Sequence, residues 1–281
     1  MMSKRVISPL ALIATLLLLA MPSIAGAAMA NLDGGPGCCR QDGDTARWHK
    51  LADGLYAQFK PAEAIRELQK ILDVDSRDFQ ALIKMARAYI DIGDTVAENG
   101  ENWKERKLKE YGIAEGYARK AIRVDPNSTW GHFWLAAALG NAAMVSPIGR
   151  QLELASEIRA EIERALELDP KNGFAYHAYG VWHRKLAEIG GASRVFASVV
   201  YGQSVPTGSL DKSIEYLKKA IELNPMVIIS RLELARSHAA KEEWERARAL
   251  LKTIPGLPIQ FSDDAKHKIK AEQLLAEIKD R

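Results

Sequence analysis

Four stretches of this chain repeat one phrase: ILDVDS at 71–76, IRVDPN at 122–127, LELDPK at 166–171 and IELNPM at 221–226. Each reads as the last turn of a helix followed by an Asp or Asn stop. In three of the four a proline comes next, which cannot continue a helix because it lacks the N–H and clashes with the preceding turn. Self-similarity of this kind decides a repeat architecture before any single residue does. The stops Asp75, Asp125, Asp169 and Asn224 stand 50, 44 and 55 residues apart.

Working outward from the stops, the first and last repeats match a 34-residue helix–turn–helix frame that resembles the tetratricopeptide repeat. Trp48, Leu51, Ala52, Leu55, Ala64, Leu68 and Ile71 fill its large and small positions in the first repeat, and Leu234, Ala235, His238, Ala247, Leu251 and Ile254 in the last. Between them the frame restarts at Leu82, Met85, Ala86 and Tyr89, at His132, Leu135, Ala136 and Leu139, and at Tyr176, Tyr179, Gly180 and His183. Small residues at Ala52, Ala86, Ala136, Gly180 and Ala235 let two helices approach while large ones fill the gap. The spacings above 34 require insertions, at 94–109, 146–157 and 190–207. The expected fold is all-α: an α-α superhelix of about five helix pairs, closed by a polar capping helix from about Asp263 to Lys279.

Composition agrees with that class, since 47% of the 281 residues are apolar and no alternating strand pattern is needed anywhere. Residues 1–30 read as an export signal: Lys4 and Arg5, an apolar run from Ile7 to Ala20, then small residues at Ala25-Gly26-Ala27 and Ala28-Met29-Ala30. An uncleaved membrane anchor is the alternative reading. Export predicts a periplasmic or secreted protein. Loss of Lys4 and Arg5 takes the formal charge from +3 to +1, so no polybasic footprint for nucleic acid remains. Residues 31–43 read as a flexible leader carrying Cys38 and Cys39, either incidental or a link to a second chain. The repeat domain is expected over 44–281.

No P-loop, G-x-S-x-G, H-E-x-x-H or C-x-x-C is present, so the sequence predicts neither a cofactor nor an enzyme. His132, His183 and His238 occupy frame positions filled elsewhere by large core residues, which predicts hydrogen-bonded core histidines and no metal ligands. A metal-dependent enzyme is the remote alternative. The first helix of each pair should line the concave groove, where Arg87, Trp130, Phe133, Phe174, His177, Arg184, Lys185 and Arg236 are the candidate ligand residues. Cations interleaved with aromatic side chains suit an apolar ligand with an acidic end. That ligand is a partner protein segment with an acidic or carboxylate terminus, or a lipid. Replacing Arg184 and Arg236 by Glu is expected to weaken binding while sparing the fold. The apolar insertion VFASVVYG at 195–202 is expected to plug the solenoid wall or to cover a lipid.

Four stretches resemble the regulator of microtubule dynamics family: ARKAIRVDPNSTWGHFWLAAALGN at 118–141, IERALELDPKNGFAYHAYGVWHRKLAEI at 162–189, FASVVYGQSVPTG at 196–208 and LDKSIEYLKKAIELNP at 210–225. The resemblance implies an all-helical interaction domain, in relatives associated with microtubules or with contacts between organelle membranes. It transfers no catalytic residue. A bacterial-looking leader implies a compartment without microtubules, so the partner is expected to differ.

Overall fold

The computed structural model describes residues 42–189, 199–200, 202 and 206–281. The export signal, the Cys38–Cys39 leader and residues 195–198 and 201 of the apolar insertion lie outside the described residues, while Val199 and Val200 within it are exposed. Within them the fold is an α-α superhelix. Its helices are α1 (Asp42–Ala57), α2 (Pro61–Val74), α3 (Phe79–Thr95), α4 (Trp103–Val124), α5 (Thr129–Val145), α6 (Ile148–Leu168), α7 (Gly173–Ala187), α8 (Leu210–Leu223), α9 (Ile228–Ala240), α10 (Trp244–Thr253) and α11 (Asp264–Glu277). Consecutive helices pair as α1–α2, α3–α4, α5–α6, α7–α8 and α9–α10, and each pair stacks on the next. The first helices α3, α5, α7 and α9 also touch in series, forming the inner wall, and α11 closes the end against α9 and α10. None of the described helices is long and apolar enough to cross a membrane.

The repeated phrase builds the joint between repeats. Asp75, Asp125 and Asp169 each accept a hydrogen bond from the backbone N–H two residues on, at 2.9, 3.0 and 2.8 Å. This Asx turn reverses the chain and delivers the next helix start. Asp78, Ser128 and Asn172, each three residues after a stop, then cap α3, α5 and α7 by accepting from their first-turn N–H groups. Stop and start are therefore one local device.

The predicted small contacts are where the helices meet. Ala52, Ala86, Ala136 and Ala235 are fully buried. A Cβ on Gly180 would lie 2.5 Å from Leu217 Cγ, so α7 approaches α8 as closely as glycine allows. The uninserted first and last repeats share their internal turn: Phe59 and Glu242, each seven residues after the small position, have φ of 58° and 60°. The insertion at 94–109 is partly helical, its second half forming the first turns of the 22-residue α4. Leu51 departs from expectation, lying 44% exposed on the first described helix.

Candidate functional site

α7 carries the sequence GFAYHAYGVWHRKLA, and its helical period sorts those residues into two faces. His177, Arg184 and Glu188 follow one face toward α9. Ala178, Trp182, Lys185 and Ile189 follow the other, toward α5 and α6.

On the first face lies a charged cluster. Arg184 Nη2 donates to Glu233 Oε2 of α9, and Nη1 donates to Glu188 at 2.6 Å. Arg236 reaches the other oxygen of Glu233 at 2.5 Å. Burial alone would raise the Glu233 carboxyl, but Arg184, Arg236 and Lys185 hold it well below the usual carboxylate range. Burial likewise works against the Arg184 charge and is outweighed by Glu233 and Glu188, so its pKa rises. His177 bonds Ser230 through Nδ1 at 3.1 Å, and burial brings its pKa down to about 4.

The basic surplus read from the sequence is therefore met within the chain. Arg184 is 3% exposed and not available as a ligand-facing cation. Introducing Glu at 184 and 236 would surround Glu233 with like charge, so the expectation that the double change spares the fold is corrected. Glu233 was missed because a carboxylate one position from the groove frame reads as solvated surface. Arg87 is also occupied, its guanidinium 4.2 Å above the Tyr56 ring and Nε 3.8 Å from Asp91. Trp130, Phe133 and Phe174 pack on one another with centroids 6.0–6.2 Å apart, and Phe133 and Phe174 are buried.

The predicted core histidines divide. His132 reaches Glu161 at 2.6 Å and the Pro126 carbonyl at 3.0 Å, and His238 reaches Glu243 at 2.5 Å. His183 instead is buried with no hydrogen-bond partner on either ring nitrogen, its ring centroid 4.7 Å from that of Tyr179 and tilted by 41°, and burial brings its pKa to about 4.

The second face of α7 lines an apolar cleft of about 580 Å³, its open mouth included, between α5, α6 and α7. Gly140 and Ala143 of α5 and Ala155 of α6 leave the space, Leu152 and Ile158 wall it, and Trp182 is held across it by donating Nε1–H to the Ala155 carbonyl at 3.0 Å. Of the eight candidate residues, Lys185 lines this cleft. Burial, followed by the neighbouring charge of Arg184, brings its pKa down to about 8, and Glu188 stands 3.8 Å from Nζ. The arrangement offers an apolar slot with a partly desolvated ammonium group. It contains no nucleophile–base pair.

Comparison with known proteins places these features. The family described as regulator of microtubule dynamics protein 1-3 matches residues 49–279. Regulator of microtubule dynamics protein 1 of Mus musculus is 26% identical over 202 residues, 72% of this chain and 65% of that protein. The protein of that name in Caenorhabditis elegans is 26% identical over 226 residues, 80% of this chain and 96% of its own length. The chain thus spans just under two thirds of the mammalian relatives. Among solved structures, a thermophilic TPR protein of Thermus thermophilus superposes with a TM-score of 0.58 at 16% identity, over 83% of this chain and 99% of that one. PilW, a type IV pilus biogenesis factor, gives 0.51 at 18% identity, over 85% and 91%. These likenesses establish the tetratricopeptide fold, and the match across nearly all of the described helices shows that the chain belongs to the regulator of microtubule dynamics protein 1-3 family.

Proposed function

We propose that this protein is a non-enzymatic helical-repeat scaffold that holds an apolar segment of a partner protein, with its terminal or side-chain carboxylate against Lys185. The observation that carries the reading is the cleft between α5, α6 and α7, apolar throughout except for Gln151 and Lys185. Much of that space is the open mouth, so the enclosed part takes a single side chain or chain end. A lysine whose charge is disfavoured by burial gains most from an entering carboxylate, which stabilises the ammonium in a site where Coulomb attraction is weakly screened. The protein is exported by its N-terminal segment in this reading, and it meets its partner in the cell envelope.

The test is fluorescence polarisation with a library of labelled peptides ending in apolar residues, each made with a free and with an amidated C-terminus. Expected are binders that prefer the free carboxylate, a preference removed by Lys185→Gln. Equal binding of amidated peptides, or no effect of Lys185→Gln, would refute the reading. A long-chain carboxylate lipid presents the same chemistry to this apolar cleft. Native mass spectrometry separates the two, since a bound small mass removed by organic extraction belongs to a lipid and a co-purifying polypeptide to a scaffold.

A further inference from the structure

The chain enters α11 through Asp263 and Asp264, and one turn later His267 follows on the same face. Asp264 and His267 are essentially inaccessible and Asp263 is 6% exposed. Asp264 Oδ2 accepts from the backbone N–H groups of Gln260 and Phe261, at 2.8 and 2.9 Å, which fixes the carboxylate and leaves Oδ1 without a hydrogen-bond partner. Both oxygens of Asp263 and both ring nitrogens of His267 also lack one. Buried polar atoms are almost always satisfied, so five such atoms in one place require an explanation.

The spacing supplies it. His267 Nε2 is 3.4 Å from Asp263 Oδ2, and the opposite ring nitrogen, Nδ1, is 3.9 Å from Asp264 Oδ1, so a single ion would use one of the two nitrogens. One donor atom from each residue lies within 4.8 Å of the other two. Ligand atoms about 2.1 Å from a tetrahedral zinc stand about 3.4 Å from each other.

The surroundings add to the demand for positive charge. The Asp94 carboxyl of α3 is raised well above its ordinary range by burial, with Asp263 and Asp91 contributing. Carboxylates from the second repeat and from the closing helix therefore converge. Lys107 and Lys270 are close enough to act on this cluster, and burial disfavours the Lys270 charge. A further orphan lies near: His177 is 3% exposed, its Nε2 has no partner, and it is close enough to His267 for their charged forms to repel.

We propose that Asp263, Asp264 and His267 bind one divalent transition-metal cation, with zinc the best match in ligand type, as a structural ion that fixes the first turn of the closing helix. Two carboxylates and a neutral imidazole supply three ligands, and water completes the set. Burial excludes substrate, so the ion is structural and the site differs from the cleft at Lys185. The competing occupant is a proton, which would make His267 an imidazolium held between two carboxylates.

The experiment is a cobalt(II) titration of the chelator-treated full chain, followed by zinc competition. Expected is one equivalent bound with the visible bands of nitrogen and oxygen ligation, displaced by zinc, with a raised unfolding midpoint. Asp263→Asn and His267→Gln should each abolish it. Asp263→Cys should keep binding and add a thiolate charge-transfer band, so the metal position is read even where a deletion variant loses helix content. Any of three results overturns the proposal: no cobalt bound by the wild-type chain, a thiolate band in the wild-type chain, or no thiolate band gained by Asp263→Cys.

Discussion

Arg184 of α7 and Glu233 of α9, 49 residues apart in sequence, form a buried ion pair across the joint between the fourth and fifth helix pairs. Glu188 and Arg236 complete it at the edges, so every charge in the cluster has a counter-charge within reach. The pair links the inner faces of two repeats that are also joined by the His177–Ser230 and Ser213–Ser237 hydrogen bonds.

Breaking that pair on one side leaves a buried charge without its main partner. Arg184→Ala should destabilise by about 3–5 kcal/mol, whereas Arg184→Met combined with Glu233→Leu should recover most of the loss. Urea unfolding followed by circular dichroism checks both. Equal destabilisation by the single and double variants would show that local packing, and not the charge, sets the cost.

The His177 ring is held neutral, its pKa lowered by burial to about 4 from an ordinary value near 6.5. Between those values the unfolded chain binds a proton that the folded chain does not, so stability falls as the pH drops through this window. The contribution is on the order of 3 kcal/mol when complete. Glu233 acts in the same sense, its lowered carboxyl contributing stability above the ordinary glutamate range that is lost as the pH falls below it. Thermal melts from pH 7 to 4 should show a shallower decline for His177→Gln than for the wild-type chain. Parallel curves would remove His177 from the account.

Glycines in this fold divide by what a methyl group would meet. Gly116, exposed on α4, has nothing within 4 Å of an added Cβ, so Gly116→Ala should stabilise by about 0.5–1 kcal/mol through helix propensity. Gly180→Ala would push into Leu217 and Gly208→Ala would meet the His183 carbonyl at 2.1 Å. The first should cost about 1–3 kcal/mol and the second at least as much, because backbone cannot move aside as a side chain can. Melting temperatures rank the three, and a stabilising Gly180→Ala would contradict the close approach of α7 to α8.

Lys185 is charged below about pH 8 and increasingly neutral above it. Affinity for a carboxylate ligand in the cleft should therefore hold level toward neutral pH and fall by up to about tenfold per unit above pH 8. Lys185→Gln should bind weakly with no such dependence. A flat profile in the wild-type chain would place the carboxylate elsewhere.

The repeat frame was legible because it is local. Ala235, Ala247, Leu251 and Ile254 are buried because helical period and side-chain size decide which face packs, and both are written in a window of one repeat. The charged groove was misread for the opposite reason. Arg184 lies on the predicted inner helix, yet its partner Glu233 comes from the next repeat, and no spacing within one helix reports a contact across 49 residues. His267 had a local signal, since Asp263 stands four residues before it. The same spacing joins His49 to Asp53 and His238 to Glu242, where the structure pairs His49 with Asp78 and His238 with Glu243 instead.

The amino-acid sequence by itself determined the helices, their joints at Asp75, Asp125, Asp169 and Asn224, and the small residues through which they pack. Those outcomes depend on capping, on proline and on side-chain volume, which act between neighbours along the chain. Tertiary structure alone decided which charges are spent inside the fold, that Lys185 looks into an apolar cleft, and that Asp263, Asp264 and His267 end with their polar atoms buried together. Those outcomes depend on desolvation and on charge pairing between segments remote in sequence, which take a value only once the superhelix has brought them into contact.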